Sequence, residues 1–483
     1  MKPLVAIFIG ILLIISGCKK FVEIAPPETL TVTAKVYDNS ATATSALTNI
    51  YAQMVQSKSN NLWPYFFPLY IGLYGDELTS YATTASIQQI YQGDLNAAGA
   101  GTNAIWSDGY NLIYQANAVI EGLQNSKSIS PAIKRQLTAE AKFIRAYWHF
   151  YLTNFYGDIP IVTGTDYTVN EKAVRSPQAE VYQQIISDLQ DAAGHLNPNY
   201  VSAADTTTTS DRFRPNAYAA DALLARVFLY NKEYDSAEFE ATKVISQTAL
   251  YDTVPLNSVF LINNKEAIWQ LMMPSSIAQT NNTFEGLDFV LNGAPLTNAF
   301  NSSTIGTQLM AAFEPGDLRK TGWIGSYTDN TVTPAKTYYF PYKYRQRGTT
   351  STPQEYSVVL RLAEQYLIRA EARTELGDYT GAQADLNIIR HRAGLPNTIA
   401  SDKTSLLAAI LHERQVELFC EYGHRWLDLK RTGNVNTVMQ QVAPQKGGTW
   451  SSDKALWPIP QTEIANDPNL TQNPGYEGGG TGS

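Results

Sequence analysis

Apolar residues recur along much of this chain at spacings of one, three and four, the pattern of helices that bury one face. Ser130-Pro131 sets an N-cap before a proline at the first helical position. The pattern then runs over 133–155 until Tyr156-Gly157-Asp158 interrupts it. Ser176-Pro177 opens a second stretch in the same way, with Val181, Tyr182, Ile185, Ile186 and Leu189 along one face. After Pro215, residues 217–230 are apolar nearly all round and rich in alanine, which predicts a buried helix that its neighbours approach closely.

The helical pattern repeats. Ala139-Glu140-Ala141-Lys142-Phe143-Ile144-Arg145-Ala146 and Ala363-Glu364-Gln365-Tyr366-Leu367-Ile368-Arg369-Ala370 agree at five of eight positions. Ala225, Tyr234 and Ala237 share their spacing with Ala370, Tyr379 and Ala382, each set spanning a short polar turn. Small and aromatic residues alternating across a turn lock tetratricopeptide-like helix pairs together, and pairs are expected at about 131–192, 216–248 and 358–392. Between them the pattern changes. Residues 250–357 are rich in Asn, Thr, Ser and Gly, with short β-type runs such as 267–272, and read as a loop-rich insertion carrying short strands. Loops on a rigid scaffold are where recognition residues concentrate. The fold class expected is therefore all-α dominated, with helical parts at 34–249 and 358–476 flanking that insertion and a glycine-rich tail at 477–483.

The N-terminus has a different character. Residues 1–17 carry one lysine, an apolar stretch and then small residues, the form of a signal peptide, and Ile15-Ser16-Gly17-Cys18 looks like a bacterial lipobox. Cys18 would become the lipidated first residue, anchored by acyl chains because the acidic body gives no attraction to anionic lipid. Residues 18–33, with Pro26-Pro27, read as an extended tether.

Composition narrows the function. A chain of 483 residues with 36 Lys and Arg against 44 Asp and Glu has a net charge of −8 and no basic block, which argues against a nucleic-acid partner. Two cysteines, Cys18 and Cys420, make no disulfide scaffold. The 29 Tyr and 8 Trp, in contrast, supply flat hydrogen-bonding faces suited to a neutral, hydroxyl-rich ligand.

Titratable groups are densest at 412–431. His412-Glu413 lacks a second histidine at zinc-protease spacing, and His424 with Asp428 lacks further ligands, so no metal site and no cofactor is expected. Glu413, Arg414, Glu417 and Arg425 read instead as a buried or half-buried ion-pair network with Trp426 as its apolar anchor. Nucleophile-elbow and phosphate-loop motifs are absent, and no catalytic residue is assigned. A pair of glycosidase carboxylates would leave no short signature. Sugars bind by laying C–H faces on rings while amides and carboxylates take their hydroxyls. On that chemistry the candidate ligand residues are Trp63, Asp76, Tyr81 and Gln88 near the N-terminus, with Asn282, Phe284, Trp323 and Tyr327 in the insertion. Tyr338 and Tyr339 fall in the same set, whereas Trp106 and Tyr110 read as packing residues.

Several segments, in order, resemble the SusD/RagB family of outer-membrane nutrient-binding lipoproteins. They are Ala139 to Ala146 through Asn154-Phe155-Tyr156-Gly157-Asp158-Ile159-Pro160, then Ala222-Leu223-Leu224-Ala225-Arg226-Val227 and Ala370-Glu371-Ala372-Arg373. Glu413-Arg414, Gly423-His424-Arg425-Trp426-Leu427-Asp428-Leu429-Lys430-Arg431, Leu456-Trp457-Pro458-Ile459-Pro460 and Gln472-Asn473-Pro474-Gly475-Tyr476 complete the set. The resemblance implies a SusD-like fold, lipid-anchored at the outer membrane and facing outward. It also implies a SusC-like TonB-dependent transporter as partner, over which such proteins act as a lid, and binding of oligosaccharides without catalysis. The family's ligand arc carries no motif that transfers to particular residues here. A secreted glycoside hydrolase and a protein-binding helical scaffold are the alternative readings.

Overall fold

The computed structural model describes residues 33–56, 63–204, 207–298 and 300–476, with side chains left undescribed at 33–34, 63–66 and 100–104. Cys18, the tether and the tail at 477–483 lie outside them. In chain order the elements used below are α1 (Ser40–Val55), α2 (Trp63–Tyr74), β1 (Leu78–Ser80), α3 (Ala85–Gln92), α4 (Ala100–Asn125), α5 (Pro131–Tyr156), α6 (Gln178–His195), α7 (Ala217–Tyr230) and α8 (Tyr234–Ile245). There follow β2 (Ala267–Leu271), β3 (Ser303–Ile305), β4 (Ile324–Asp329), β5 (Lys336–Pro341), β6 (Ser357–Arg361), α9 (Leu362–Leu376), α10 (Tyr379–Arg392), α11 (Lys403–Glu417) and α12 (His424–Arg431). Among the described residues helix predominates and the strands are few and short, so the fold is all-α dominated.

The helix ends follow from local chemistry. Ser130 Oγ accepts from the Ile133 N–H and Pro131 occupies the first turn, while Gly157 at φ +76° ends α5 in a conformation that side chains resist. Helix α6 departs from expectation by one position, since Pro177 is its N-cap and not its first residue. The cause is a bridge between Ser176 and Ile159, whose N–H and C=O groups bond reciprocally and hold the chain extended up to the proline.

Helices α4 to α8 stack in sequence, each packed on the next, and α9 then continues the stack directly against α8 despite the long stretch of chain between them. Residues 246–361 thus leave the helical stack and return to it. The return is fastened by β2, which runs antiparallel to β6 in a ladder from Ala267↔Arg361 to Leu271↔Ser357. That pairing explains why the third helix pair begins at Leu362: Val358, Val359 and Leu360 are β-formers with a partner strand, and they extend instead of coiling. Within the pairs Ala225, Ala237, Ala370 and Ala382 are fully buried, as close helix packing needs, and Tyr234 and Tyr379 lie half-buried beside them. Trp269 on β2 anchors the main core, with Tyr51, Phe143 and Tyr147 packed edge-on around its ring.

Two further two-stranded sheets position the candidate site. Strand β1 runs antiparallel to β3 with Leu78↔Ile305 and Ser80↔Ser303, joining the N-terminal part to the excursion. Strands β4 and β5 form a hairpin from Ile324↔Pro341 to Asp329↔Lys336.

Candidate functional site

The titratable run at 412–431 is interior structure. Glu413, Arg414, Glu417 and Trp426 are buried, as expected, yet the ion pairs are not made among themselves. Glu417 instead receives Arg319 at 2.9 Å and Arg361 at 2.6 Å, and pairs with Arg392 as well. Arg414 pairs with Asp428 at 2.7 Å, and Arg425 clamps Asp76 with contacts of 2.7 and 2.9 Å. Burial alone would raise the pKa of Glu417, but Arg392, Arg361 and Arg319 together drive it well below the usual carboxylate range. Burial also holds His424 neutral by lowering its pKa well below the usual histidine value, an effect that the neighbouring arginines reinforce. The ion pairs made here hold segments together.

This lattice corrects one site expectation and neighbouring packing corrects three more. Asp76 is the buried partner of Arg425, so its carboxylate is not open to a sugar hydroxyl. Asn282 is buried with its amide committed: Nδ2 donates to Gly348 O at 2.9 Å and Oδ1 accepts from Gln354 N–H at 2.7 Å. Phe284 is buried where a short helix begins. Trp323 is only 1% exposed; its indole N–H donates to Leu256 O at 3.0 Å and its ring packs on Phe260 and Phe419. The sequence carries no mark separating these core side chains from exposed ones, because an aromatic in a loop-rich segment reads the same either way. Trp106 and Tyr110 are packing residues as expected, with ring centroids 4.9 Å apart and the Tyr110 hydroxyl donating to Pro160 O. The side chain of Trp63, at the start of α2, lies outside the described residues.

Tyr81, Tyr327 and Tyr338 are brought together from two distant segments. Tyr81 follows β1, and its N–H donates to Ser302 O at 2.7 Å, extending the β1–β3 ladder by one bond. Its ring meets that of Tyr338 edge-on, centroids 5.8 Å apart at 79°. Tyr338 faces Tyr327 directly across the hairpin, and side chains two positions apart share a face, so Tyr327, Tyr338, Asp329 and Lys336 lie on the same side. All three tyrosines are half-buried, which leaves ring surface for a ligand. Tyr339, 46% exposed, points to the opposite side of the hairpin. Gln88, half-buried on α3, donates its amide to Ala82 O and so steadies the turn that carries Tyr81. Gln88 is a positioning residue for the patch by that contact.

Sequence reasoning missed Lys336. Its ammonium lies 4.9 Å from the Tyr338 ring centroid and 5.5 Å from that of Tyr81. The period-two alternation Lys336, Tyr338, Phe340 against Thr337, Tyr339 was the available signal. Glu285 and Asp288, a carboxyl pair outside the sequence-derived set, are buried with pKa values that burial pushes up to about 7. Glu285 accepts from the Ser357 hydroxyl and Asp288 from the Asn301 N–H. Among the described residues no cluster of three or more His, Cys, Asp and Glu is placed to hold a metal.

Comparison with known proteins agrees with this architecture. The family model described as "SusD family" matches residues 279–476, and one described as "Starch-binding associating with outer membrane" matches residues 20–229. SusD-like protein P38 of Formosa agariphila is 26% identical over 431 residues, which cover 77% of this chain and 79% of that protein. SusD-like protein P2 of the same organism is 25% identical over 528 residues, 99% of this chain and 100% of its own. Among solved structures, a SusD superfamily protein from Bacteroides vulgatus superposes with a TM-score of 0.79 at 19% identity, covering 91% of this chain and 99% of that one. A laminarin binding SusD-like protein gives 0.74 at 23% identity, covering 90% and 99%. At such identities the structural likeness establishes the fold.

Proposed function

Because the chain belongs to the SusD family, with models of that family meeting both of its halves, we propose that it is a glycan-binding lipoprotein of the outer membrane. It captures oligosaccharides without cleaving them and passes them, as a lid, to a SusC-like TonB-dependent transporter. Cys18 carries the lipid, and the body faces outward on the tether that follows. The observation that carries this reading is the tyrosine patch, where Tyr81, Tyr327 and Tyr338 present half-buried rings on two short sheets. Rings of this kind take the C–H faces of sugars, and their hydroxyls remain for the ligand's own. The names of relatives support the ligand class, one matching model being described as starch-binding and one structural neighbour as laminarin binding. Modest affinity suffices in this role, because a tethered binder presents its ligand at high effective concentration to the pore beside it.

Affinity electrophoresis of the protein through gels containing a panel of polysaccharides tests the reading. Retardation by at least one glycan is expected, together with a loss of about five- to tenfold in affinity for Y81A and Y338A, since one aromatic contact is worth about 1 kcal/mol. Migration unchanged in every gel would count against glycan capture. Release of shorter products from a polysaccharide by the purified protein would count for a hydrolase instead.

A further inference from the structure

The tyrosine patch has a cation at its centre. Lys336 is exposed, yet its ammonium is not free in solvent, because it lies over the rings of both Tyr338 and Tyr81. Ring faces hold a cation by their negative quadrupole, so two of them fix the position of this charge. They do not neutralise it. The one carboxylate opposite Lys336 in the hairpin ladder is Asp329, and that group is turned toward the β4–β5 turn, where it accepts from the Thr331 N–H at 2.8 Å and the Thr331 hydroxyl at 2.6 Å. Among the described residues Lys336 makes no ion pair, whereas the buried cations of the excursion each have one: Arg319 with Asp317, Lys343 with Glu421 and Arg361 with Glu417.

Resting on the reading of this patch as the glycan site, we propose that its ligand is an acidic glycan, bearing a carboxylate or a sulfate ester that pairs with Lys336. The same geometry disfavours a neutral sugar. A neutral hexose laid on Tyr338 competes with the ammonium for the ring face and offers the displaced charge only hydroxyl oxygens, a weaker return than an anion gives. An acidic sugar leaves the ammonium in place, adds an ion pair to it, and sets its C–H face against Tyr327 directly across the ladder. The net charge of −8 gives the protein no general attraction for polyanions, so preference for an acidic ligand must come from this local contact.

The test is titration calorimetry on the full-length chain in detergent micelles with four probes: oligogalacturonate for the carboxylate, carrageenan oligosaccharides for the sulfate ester, and malto- and laminari-oligosaccharides as neutral ligands. Binding to at least one acidic probe is expected, stronger than to either neutral one and weakened by added salt. K336Q should lower the acidic affinity about fivefold, K336R should retain it, and neutral binding should be unchanged or strengthened in K336Q. Which acidic probe binds names the anion. Binding of neutral probes alone, or acidic binding that K336Q leaves intact, overturns the proposal and spares the glycan-binding reading. Binding of none of the four overturns the acidic-ligand proposal and leaves the glycan-binding reading to the polysaccharide panel. Lys336 is exposed, and an unchanged unfolding curve for K336Q excludes loss of fold as the cause.

Discussion

Glu77 lies between Tyr74, which ends α2, and β1, sealed from water, with its carboxylate accepting the Cys420 N–H at 3.0 Å. Burial pushes its pKa up from 4.5 to about 8, opposed by the Cys420 N–H, raised further by Asp76, and lowered by Lys343 and Arg425. The folded protein therefore keeps a proton on Glu77 between about pH 4.5 and 8 that the unfolded chain has lost. Over that window the native state binds more protons, so the contribution of Glu77 to stability falls as pH rises, by at most about 1.4 kcal/mol per pH unit. E77Q stays neutral throughout and lacks this slope. In urea unfolding at pH 5, 6.5 and 8, the stability of E77Q relative to the parent should rise with pH. A constant difference would mean that Glu77 is ionised in the folded state across the range. At this scale Tyr81 and Trp323 make the contrast with sequence reasoning plain: the same argument selected both, and only burial separates a half-buried ring over a turn from an indole sealed against Phe260.

The hairpin of β4 and β5 is the element that presents the site, and it depends on one glycine. Gly325 lies opposite Phe340, and a Cβ at Gly325 would come within 2.3 Å of the Phe340 ring. The absence of a side chain lets that ring fold across the ladder and close the base of the hairpin, leaving Tyr327 and Tyr338 in register further along the same face. G325A forces the ring out at a cost of about 1–3 kcal/mol, the usual range for overpacking. The expected result is a lower melting temperature together with weakened glycan binding, although Gly325 itself offers no side chain to a ligand. Melting and binding both unchanged would mean that Phe340 has room to turn aside. The helices were legible in their residues because caps and periodicity act within a few positions, as Ser130 and Gly157 illustrate. The pairing of β1 with β3 was not, since no local signal tells a three-residue strand which partner it has more than 200 residues away.

Across the whole molecule, an ion lattice fastens the excursion to the C-terminal helices. Glu417 at the end of α11 is reached by Arg319 and Arg361 from the excursion and by Arg392 from the end of α10, and Arg361 and Arg392 also share Glu266. Removing the central anion leaves three buried guanidinium groups facing one another without it. E417A should therefore destabilise by at least about 3–5 kcal/mol, the range for breaking a buried pair, seen as a large fall in the denaturant midpoint or as loss of soluble protein. A loss under about 1 kcal/mol would mean that the lattice rearranges around Glu266. The sequence by itself pointed to the helical repeat and to the interior character of the 412–431 charges, because periodicity, caps and charge density are local properties. Only the tertiary structure decided which charges pair, which rings face water, and that Tyr81 and Lys336 share a surface. Those facts depend on contacts between segments far apart in the chain, and burial is a property of what packs over a residue, not of the residue alone.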